Sequence, residues 1–265
     1  MVLSRLCFNE LLSLPVLDND QKLVGTISVL DILVYLSWSP FFEKGELNPV
    51  DVTSFKNLNT TVGYLLGLSS EGKNTWVIQP TSELKSLLEP FSKGLHRVLV
   101  PIKVDGKEVY RVVSQTDVLT FIYRKKGLFG EVISKKLSEL GIKEKPVVSI
   151  STGTSALEGF KTMSLENVPA VAVVDAEKRI VANLSASDLR GINERILKKV
   201  VSPVTDYLKE CYQNIRAPLV VTLDATLDEA LDVIISEGIH RLWVVNQDKQ
   251  VVGVLSLTDI IKLFL

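Results

Sequence analysis

The pattern Ser-x-x-Asp occurs four times in this chain, each time directly after a short apolar run, at Ser28/Asp31, Ser114/Asp117, Ser185/Asp188 and Ser256/Asp259. An aspartate carboxylate has only acceptor atoms, so it can bind hydroxyl or N–H donors. The two histidines of the chain each precede an arginine, in His96-Arg97 and His240-Arg241. The guanidinium fork of arginine matches the geometry of an oxyanion. These residue types can therefore bind a molecule that carries both hydroxyl donors and anionic oxygens.

Regular spacing indicates that the four motifs belong to an internal repeat. Thirteen residues separate the members of three pairs, Asp18/Asp31, Asp175/Asp188 and Asn246/Asp259. Each repeat has a short apolar strand, a turn, a second apolar strand and a helix that begins at Ser-x-x-Asp, where serine and aspartate are good caps. His96 and Asp117 are 21 positions apart and His240 and Asp259 are 19 apart, which predicts a longer second hairpin around the turn dipeptide Asp105-Gly106.

An amphipathic helix precedes the strands of each repeat, with apolar residues three and four positions apart. It is predicted over residues 3–12, 81–91, 154–163 and 225–235. We assign the repeats to residues 1–38, 61–126, 127–198 and 199–265, the first of them truncated at its N-terminus and without the preceding strand. Residues 39–60 are predicted to be a linker inside the first pair of repeats, and a helix is predicted over 131–140, ending at Gly141.

Composition favours a soluble globular protein in a reducing compartment. The net charge of −1 provides no basic field for nucleic acid or an anionic membrane. Two cysteines without metal-ligand spacing are typical of a reducing environment, and no apolar stretch is long and unbroken enough for a signal peptide or a transmembrane helix. We predict a cytoplasmic location, with the nucleus as an additional one, and no nucleic-acid or membrane partner.

Motifs for enzymatic chemistry are incomplete. The stretch from Gly67 to Asn74 approaches a P-loop, but asparagine occupies the position where that motif needs Ser or Thr, and a strand follows instead of a helix. We interpret it as a Gly/Ser turn. Asp18-Asn19-Asp20 is too short for a calcium loop, and two histidines already in repeated positions leave none for a Ser-His-Asp triad. We therefore predict that the chain is not an enzyme and has no metal site or cofactor.

The repeat resembles the cystathionine-β-synthase (CBS) domain, whose strand–turn–strand–helix unit ends in Gly-x-x-Ser-x-Thr-Asp, here Gly253 to Asp259. Four units, together with Phe91-Ser-Lys-Gly-Leu-His96-Arg97 and Lys136-Leu-Ser-Glu-Leu-Gly141, are similar to the γ regulatory subunits of the AMP-activated/SNF1-related kinases, of the plant γ-like type. The resemblance covers nearly the whole chain. It implies an α+β (α/β) fold of four CBS repeats, forming two Bateman modules in a pseudo-fourfold disc.

The resemblance also implies roles for the repeated residues in binding AMP, ADP or ATP. The aspartates Asp31, Asp117, Asp188 and Asp259 would bind the ribose diol, and apolar strand residues would enclose the adenine. The phosphates would contact His96, Arg97, Ser114, Thr116, Ser185, His240, Arg241, Ser256 and Thr258. Each aspartate alone is equally explained as a helix cap, whereas the two His-Arg pairs at equivalent places favour a nucleotide-facing role.

Departures from the family pattern concern the cations and one aspartate. The dipeptides assigned to the His-Arg position are Leu11-Leu12 in the first repeat and Val168-Pro169 in the third, and neither supplies a cation. Asp117 occupies a motif position at which the best-known γ subunits have a basic residue. The site formed by the second and fourth repeats is thus the best supported.

Three hypotheses follow. The first is a γ-type regulatory subunit that binds adenine nucleotides and modulates kinase catalytic (α-type) and scaffold (β-type) subunits. The second is a CBS-repeat scaffold with weak or no nucleotide binding, in which the aromatic cluster of Trp38, Phe41 and Phe42 either contacts a partner or belongs to the core. The third is a sensor module that has lost an attached enzyme.

Overall fold

The structure is a computed structural model, and it describes residues 5–6, 8–9, 11–39, 60–73, 75–190 and 193–265. Contacts divide the chain into two compact units. The first contains residues 1–75 and 148–218, and the second contains 76–147 and 219–265. The first and third repeats therefore pack together, as do the second and fourth. Most of the predicted linker, residues 40–59, with Phe41 and Phe42, lies outside the described residues, as do Asn74 and parts of the predicted helix 3–12.

The first unit is built from two hairpins and the helices around them. Its first part comprises β1 (Ser13–Leu17), β2 (Leu23–Ser28), α1 (Val29–Ser37) and α2 (Val62–Leu65). Its second part comprises β5 (Ser149–Ser151), α6 (Ala156–Leu165), β6 (Ala170–Val174), β7 (Ile180–Ser185), a single 3-10 turn (Ala186–Leu189), α7 (Glu194–Lys199) and α8 (Val204–Tyr212). The hairpins are antiparallel, and β5 adds to β6 in parallel.

The second unit repeats the same plan. It comprises α3 (Lys85–Ser92), β3 (Arg97–Val104), β4 (Lys107–Ser114), α4 (Gln115–Arg124), a 3-10 turn (Lys126–Phe129) and α5 (Gly130–Ile133). The fourth repeat adds β8 (Val220–Val221), α9 (Leu227–Glu237), β9 (Arg241–Val245), β10 (Val251–Ser256) and α10 (Leu257–Lys262). The sheet order there is β10-β9-β8, with β9 and β10 antiparallel and β8 parallel to β9.

Side-chain hydrogen bonds fix three of the four hairpin turns in the same way. The side-chain oxygen Oδ1 of Asp18, Asp175 or Asn246 accepts hydrogen bonds from the backbone N–H groups two and four residues later, at 2.8–3.1 Å. This is an Asx turn. Because the second strand has six residues in all three of these hairpins, the equal turns give a constant spacing to the motif aspartate. The second hairpin instead turns through Asp105 and Gly106, at φ +50° and +76°, between the paired residues Val104 and Lys107. The predicted longer hairpin is confirmed.

Each unit has its own apolar core. In the first, β6 is buried over its whole length, and Phe160 packs edge-on against Tyr207, with ring centroids 5.6 Å apart. In the second, α3, α4, α9 and α10 bury apolar faces around Leu119 and Leu231, which are both 0% exposed. Capping boxes start α6 at Ser155 and α9 at Thr226, close to the starts predicted from the apolar periodicity.

The prediction of a helix over residues 131–140 is wrong. Helix α5 ends at Ile133, and the following chain pairs with the start of α9 instead. Leu137 N–H donates to Ala225 O at 2.9 Å, and Ser138 N–H donates to Leu223 O at 3.0 Å. These tertiary hydrogen bonds satisfy the backbone groups that a helix would have used. Gly141, at φ +80°, ends a turn and not a helix.

Helix α8 lies in the first unit, although its residues belong to the stretch 199–265 that the sequence assigns to the fourth repeat. Val204, Tyr207 and Leu208 are buried in the first unit's core with the third repeat. The boundary between the two units falls at residues 218 and 219. This placement brings α8 close to the motif aspartate of the third repeat.

Candidate functional site

The four Ser-x-x-Asp motifs lie at the start of the helical segment that follows each hairpin. This segment is an α-helix in the first, second and fourth repeats, as predicted, but only a single 3-10 turn in the third. In every repeat the serine N–H donates to Oδ2 of the aspartate, at 2.7 Å for Ser28, 2.8 Å for Ser114, 2.8 Å for Ser185 and 2.9 Å for Ser256. The serine hydroxyl also donates to Oδ2 in the first, second and fourth repeats. One carboxylate oxygen of each aspartate thus caps the helix. The other oxygen, Oδ1, is not needed for capping.

The hairpins place an equivalent residue beside each motif. The motif serine pairs across the hairpin with Ser13, Arg97, Ala170 and Arg241 in the four repeats. The preceding residue accepts a backbone hydrogen bond from the first residue of the helix, at 2.9–3.2 Å, and this residue is Leu12, His96, Pro169 and His240. The two His-Arg pairs are therefore structurally equivalent.

This pairing corrects the register assigned from the sequence. The residues equivalent to His-Arg are Leu12-Ser13 and Pro169-Ala170, one position later than Leu11-Leu12 and Val168-Pro169. The error arose because apolar dipeptides fit either register, whereas strand pairing allows only one. The conclusion that these two repeats supply no cation there is unchanged.

In the first repeat, both oxygens of Asp31 are occupied by the chain itself. Oδ1 accepts the N–H and the hydroxyl of Ser69, both at 2.9 Å. Asp31 is 0% exposed. The stretch that approaches a P-loop supplies Ser69 from a turn, as predicted, with Gly67 at φ +76°. As the structure stands, Asp31 cannot reach a ligand.

In the third repeat, a tyrosine from α8 covers the motif aspartate. Tyr212 Oη donates to Asp188 Oδ1 at 2.5 Å, and the Arg216 guanidinium lies over the Tyr212 ring, 5.0 Å from its centroid. Burial, and next the charge of Asp188, raise the pKa of Tyr212 far above its ordinary value of 10. Asp188 is 8% exposed, and the neighbouring Ser185 hydroxyl lies 2.5 Å from that of Ser187.

In the fourth repeat, the motif aspartate faces a lysine from the segment between repeats. Lys145 Nζ lies 3.5 Å from Asp259 Oδ1, and the side chains are 44% and 21% exposed. The Lys145 N–H donates to Val252 O at 2.9 Å, which holds this segment along β10. The ion pair is partly solvated and therefore weak, so Asp259 remains accessible to a competing donor.

In the second repeat, Asp117 is exposed and its Oδ1 has no partner among the described residues. Gln115, the first residue of the same helix, donates from Nε2 to Thr258 Oγ1 at 2.8 Å and to Phe91 O at 2.9 Å. A side-chain hydrogen bond thus joins the helix starts of the second and fourth repeats. Thr116 is half-buried.

The cations lie beside the two accessible aspartates. Arg97 is opposite Ser114 in the β3–β4 hairpin, and Arg241 is opposite Ser256 in the β9–β10 hairpin. His96, Arg97 and Arg241 are half-buried, and His240 is exposed. The second unit therefore combines a partly solvent-exposed carboxylate, hydroxyl groups and cations at each of its two hairpin–helix junctions.

Sequence reasoning missed the residues that distinguish the four sites. Ser69, Lys145 and Tyr212 contact motif aspartates 38, 114 and 24 positions away in the chain. None of the three lies in the repeat pattern. The only sequence signal for any of these three contacts was the Gly/Ser turn around Ser69, which resembles a P-loop but could be given no function.

The described residues contain neither a candidate metal centre nor a candidate membrane span. No group of three or more His, Cys, Asp or Glu side chains there could hold a metal ion. The same part of the chain has no helix of the length and apolar character needed to span a bilayer.

Comparison with known proteins agrees with this architecture. The CBS domain family model matches residues 4–37, 138–193 and 210–265, more than half of the chain. Two Arabidopsis thaliana proteins named SNF1-related protein kinase regulatory subunit gamma-like PV42a and PV42b are 26% and 23% identical to it, over 90% and 91% of this chain and 74% and 75% of their own. The fold is also similar to a crystal structure from Methanocaldococcus jannaschii, described as that of a candidate archaeal homologue of γ-AMPK. The match includes 99% of this chain and 91% of the archaeal chain, with a TM-score of 0.70 and 16% sequence identity. The chain belongs to the CBS domain family, and it is similar to γ-like regulatory subunits of SNF1-related kinases.

Proposed function

We propose that this chain is a γ-type regulatory subunit that binds AMP, ADP and ATP through its second unit and modulates a kinase of the SNF1/AMPK type. The observation that carries the proposal is the contrast among the four motif aspartates. Asp117 and Asp259 keep an accessible carboxylate oxygen beside a His-Arg pair, whereas Asp31 and Asp188 do not.

The ribose would bind at the free carboxylate oxygen. A carboxylate has about four lone-pair sites, and capping uses those on Oδ2. Oδ1 of Asp117 can accept both hydroxyls of a cis-diol without disturbing the helix start. At Asp259 the diol would replace the contact with Lys145, which then remains nearby as an additional cation for phosphate.

The phosphates would bind where hydroxyls and cations meet. Arg97 and Arg241 lie opposite the motif serines in their hairpins. Because each serine hydroxyl already donates to its motif aspartate, the hydroxyl donors for phosphate would be those of Thr116 and Thr258. Charge-assisted hydrogen bonds from arginine to phosphate are roughly twice as strong as neutral ones. Because the cations contact phosphate and not adenosine, the site would distinguish nucleotides by their number of phosphates.

The kinase partners are inferred from the relatives. The Arabidopsis proteins are named as regulatory subunits of SNF1-related protein kinase. We therefore propose catalytic and scaffold subunits as partners and a non-enzymatic role for this chain in the cytoplasm. Regulation requires that a nucleotide binds two states of the complex with different affinity, typically by about 1–3 kcal/mol.

Isothermal titration of the full chain with AMP, ADP and ATP tests the proposal. Asp117→Asn and Asp259→Asn are expected each to weaken AMP binding at least tenfold at its own site. The control is Asp248→Asn, because Asp248 is an exposed aspartate of the fourth repeat in the β9–β10 turn, away from the motif. Absence of saturable binding up to millimolar nucleotide, where sites of about −4 kcal/mol are still detected, would refute nucleotide sensing.

A CBS-repeat scaffold without nucleotide binding is the second candidate. The closed state of Asp31 and Asp188 favours it, because two of the four motif carboxylates are buried against internal donors. Co-purification with kinase subunits that does not change with nucleotide concentration would support the scaffold, and nucleotide-dependent co-purification would support the regulatory subunit.

A further inference from the structure

The turn formed by residues 67–73 encloses the motif carboxylate of the first repeat. Four donor groups surround Asp31, because Ser28 and Ser69 each contribute a backbone N–H and a hydroxyl at 2.7–2.9 Å. Both serines are buried, at 0% and 6% exposure. A carboxylate with four donors and no solvent contact is fully satisfied.

Gly72 shows how closely the turn fits the carboxylate. Its N–H donates to Ser69 Oγ at 3.2 Å, which orients the hydroxyl toward Asp31. A Cβ atom added to Gly72 would lie 2.8 Å from Asp31 Oδ2 and closer still to Oδ1. Only glycine allows this approach of the backbone to the carboxylate.

The second repeat shows that the turn is not needed to form the motif. Asp117 makes the same capping box with Ser114, and it is exposed. The donors of Ser69 therefore occupy the position at Oδ1 that is open in the second repeat. We propose that residues 69–72 act as a built-in substitute ligand that closes the first repeat to nucleotides. This inference deepens the proposed function, since it rests on Oδ1 being the ribose-binding atom.

Competition explains why a nucleotide would not displace the turn. Ser69 is tethered to Asp31 by the chain, and the effective concentration of a tethered group is on the order of millimolar or more. A ribose diol would regain only the same two hydrogen bonds at Oδ1. A ligand also present at millimolar concentration thus gains no advantage over the tethered serine.

Hydrogen exchange of the Ser69 amide, measured by NMR on the full chain with and without AMP, tests the closure. We expect a protected amide whose exchange rate AMP does not change. Gly72→Ala is expected to lower the Tm by several degrees and to raise this exchange rate at least tenfold, because the new Cβ expels the turn. The control is Gly63→Ala, whose Cβ would meet no atom within 4 Å. Rapid exchange in the wild-type chain, or faster exchange with AMP, would overturn the closure.

A second pair of variants keeps the test decisive if Gly72→Ala does not fold. Asp31→Asn and Asp117→Asn each replace one carboxylate oxygen by an NH2 donor. At Asp31 both oxygens accept hydrogen bonds, so the NH2 group must face the donors of Ser28 or of Ser69, whereas at Asp117 it can turn toward solvent. Asp31→Asn is expected to lower the Tm by several degrees more than Asp117→Asn and to leave the number of AMP sites unchanged. Loss of an AMP site in Asp31→Asn with an unchanged Tm would refute the closure. If the wild-type chain binds no AMP, the proposed function fails, whereas the exchange of the Ser69 amide still decides whether the turn is closed.

Discussion

The contact between Tyr212 and Asp188 predicts a large loss of stability in Tyr212→Phe. The substitution removes one donor from a carboxylate that is 8% exposed, and the bond is short, at 2.5 Å. A hydrogen bond to a charged group contributes about 1.5–3 kcal/mol, so we expect a decrease of about 2 kcal/mol in the free energy of unfolding of the first unit. With a urea m value of about 2 kcal/mol/M, the midpoint moves by about 1 M.

Tyr110→Phe is the matched control, because Tyr110 Oη also donates to a carboxylate, that of Glu108, at 2.9 Å, but this pair is exposed. Urea unfolding followed by circular dichroism should show no shift of the midpoint in Tyr110→Phe. The two units need not unfold together, so the shift in Tyr212→Phe is expected in the transition of the first unit. Equal midpoints for the two variants would show that the contact with Asp188 does not stabilise the fold.

The pH dependence of the same contact has a definite sign. Burial and the Asp188 charge raise the pKa of Tyr212 above its ordinary value of 10 in the folded chain. Above pH 10 the unfolded tyrosine loses its proton while the folded one retains it, so the unfolded state binds fewer protons and stability falls as pH rises. The contribution is complete below pH 10. Tyr212→Phe should therefore reduce the loss of stability between pH 10 and pH 12.

Three further predictions concern the ligand site, a turn and a thiol. Lys145→Ala removes a partly exposed ion pair with Asp259 that contributes at most about 1 kcal/mol. In calorimetric titrations adenosine should therefore bind up to about fivefold more tightly, and ATP should bind more weakly because a cation near the phosphates is lost. A change of both affinities in the same direction would contradict this. Gly106→Ala places a side chain at φ +76° and should lower the free energy of unfolding by about 1–2 kcal/mol, whereas Gly127→Ala, with a conventional φ and open space, should have little effect in the same urea titration. Burial raises the pKa of the Cys211 thiol to about 11. Its alkylation at pH 8, measured by mass spectrometry of the peptide that contains it, should therefore be at least tenfold slower in the folded chain than in urea. Equal rates would show an accessible thiolate.

The local part of each site could be predicted from the sequence. A capping box and an Asx turn each depend on residues within four positions, so their spacing is visible without a structure. The thirteen-residue interval between Asp18 and Asp31 begins with the Asx turn and ends with the capping box, with strand β2 between them. The same locality explains why the Asp105-Gly106 hairpin was predicted correctly.

Contacts between residues that are far apart in the sequence could not be predicted. The helix expected over residues 131–140 was lost because pairing with α9 outcompetes a short amphipathic pattern, and periodicity does not report such pairing. The partners of the second carboxylate oxygen come from outside the repeat, and nothing in the spacing of the motifs distinguishes Asp31, which is enclosed by Ser69, from Asp117, which is exposed.

The two carboxylate oxygens of each motif aspartate have separate roles, and this explains how one motif can have four different environments. Oδ2 accepts the serine N–H in every repeat, so this contact at the hairpin–helix junction forms whatever binds Oδ1, and the partner of Oδ1 contributes only additional stability. Oδ1 can then accept a serine, a tyrosine, a lysine or a ligand without changing the hairpin–helix junction. A protein of this design can lose a ligand site by gaining an internal donor and keep its fold. On this argument, exchanging the internal donors should change the number of nucleotide sites before it changes the architecture.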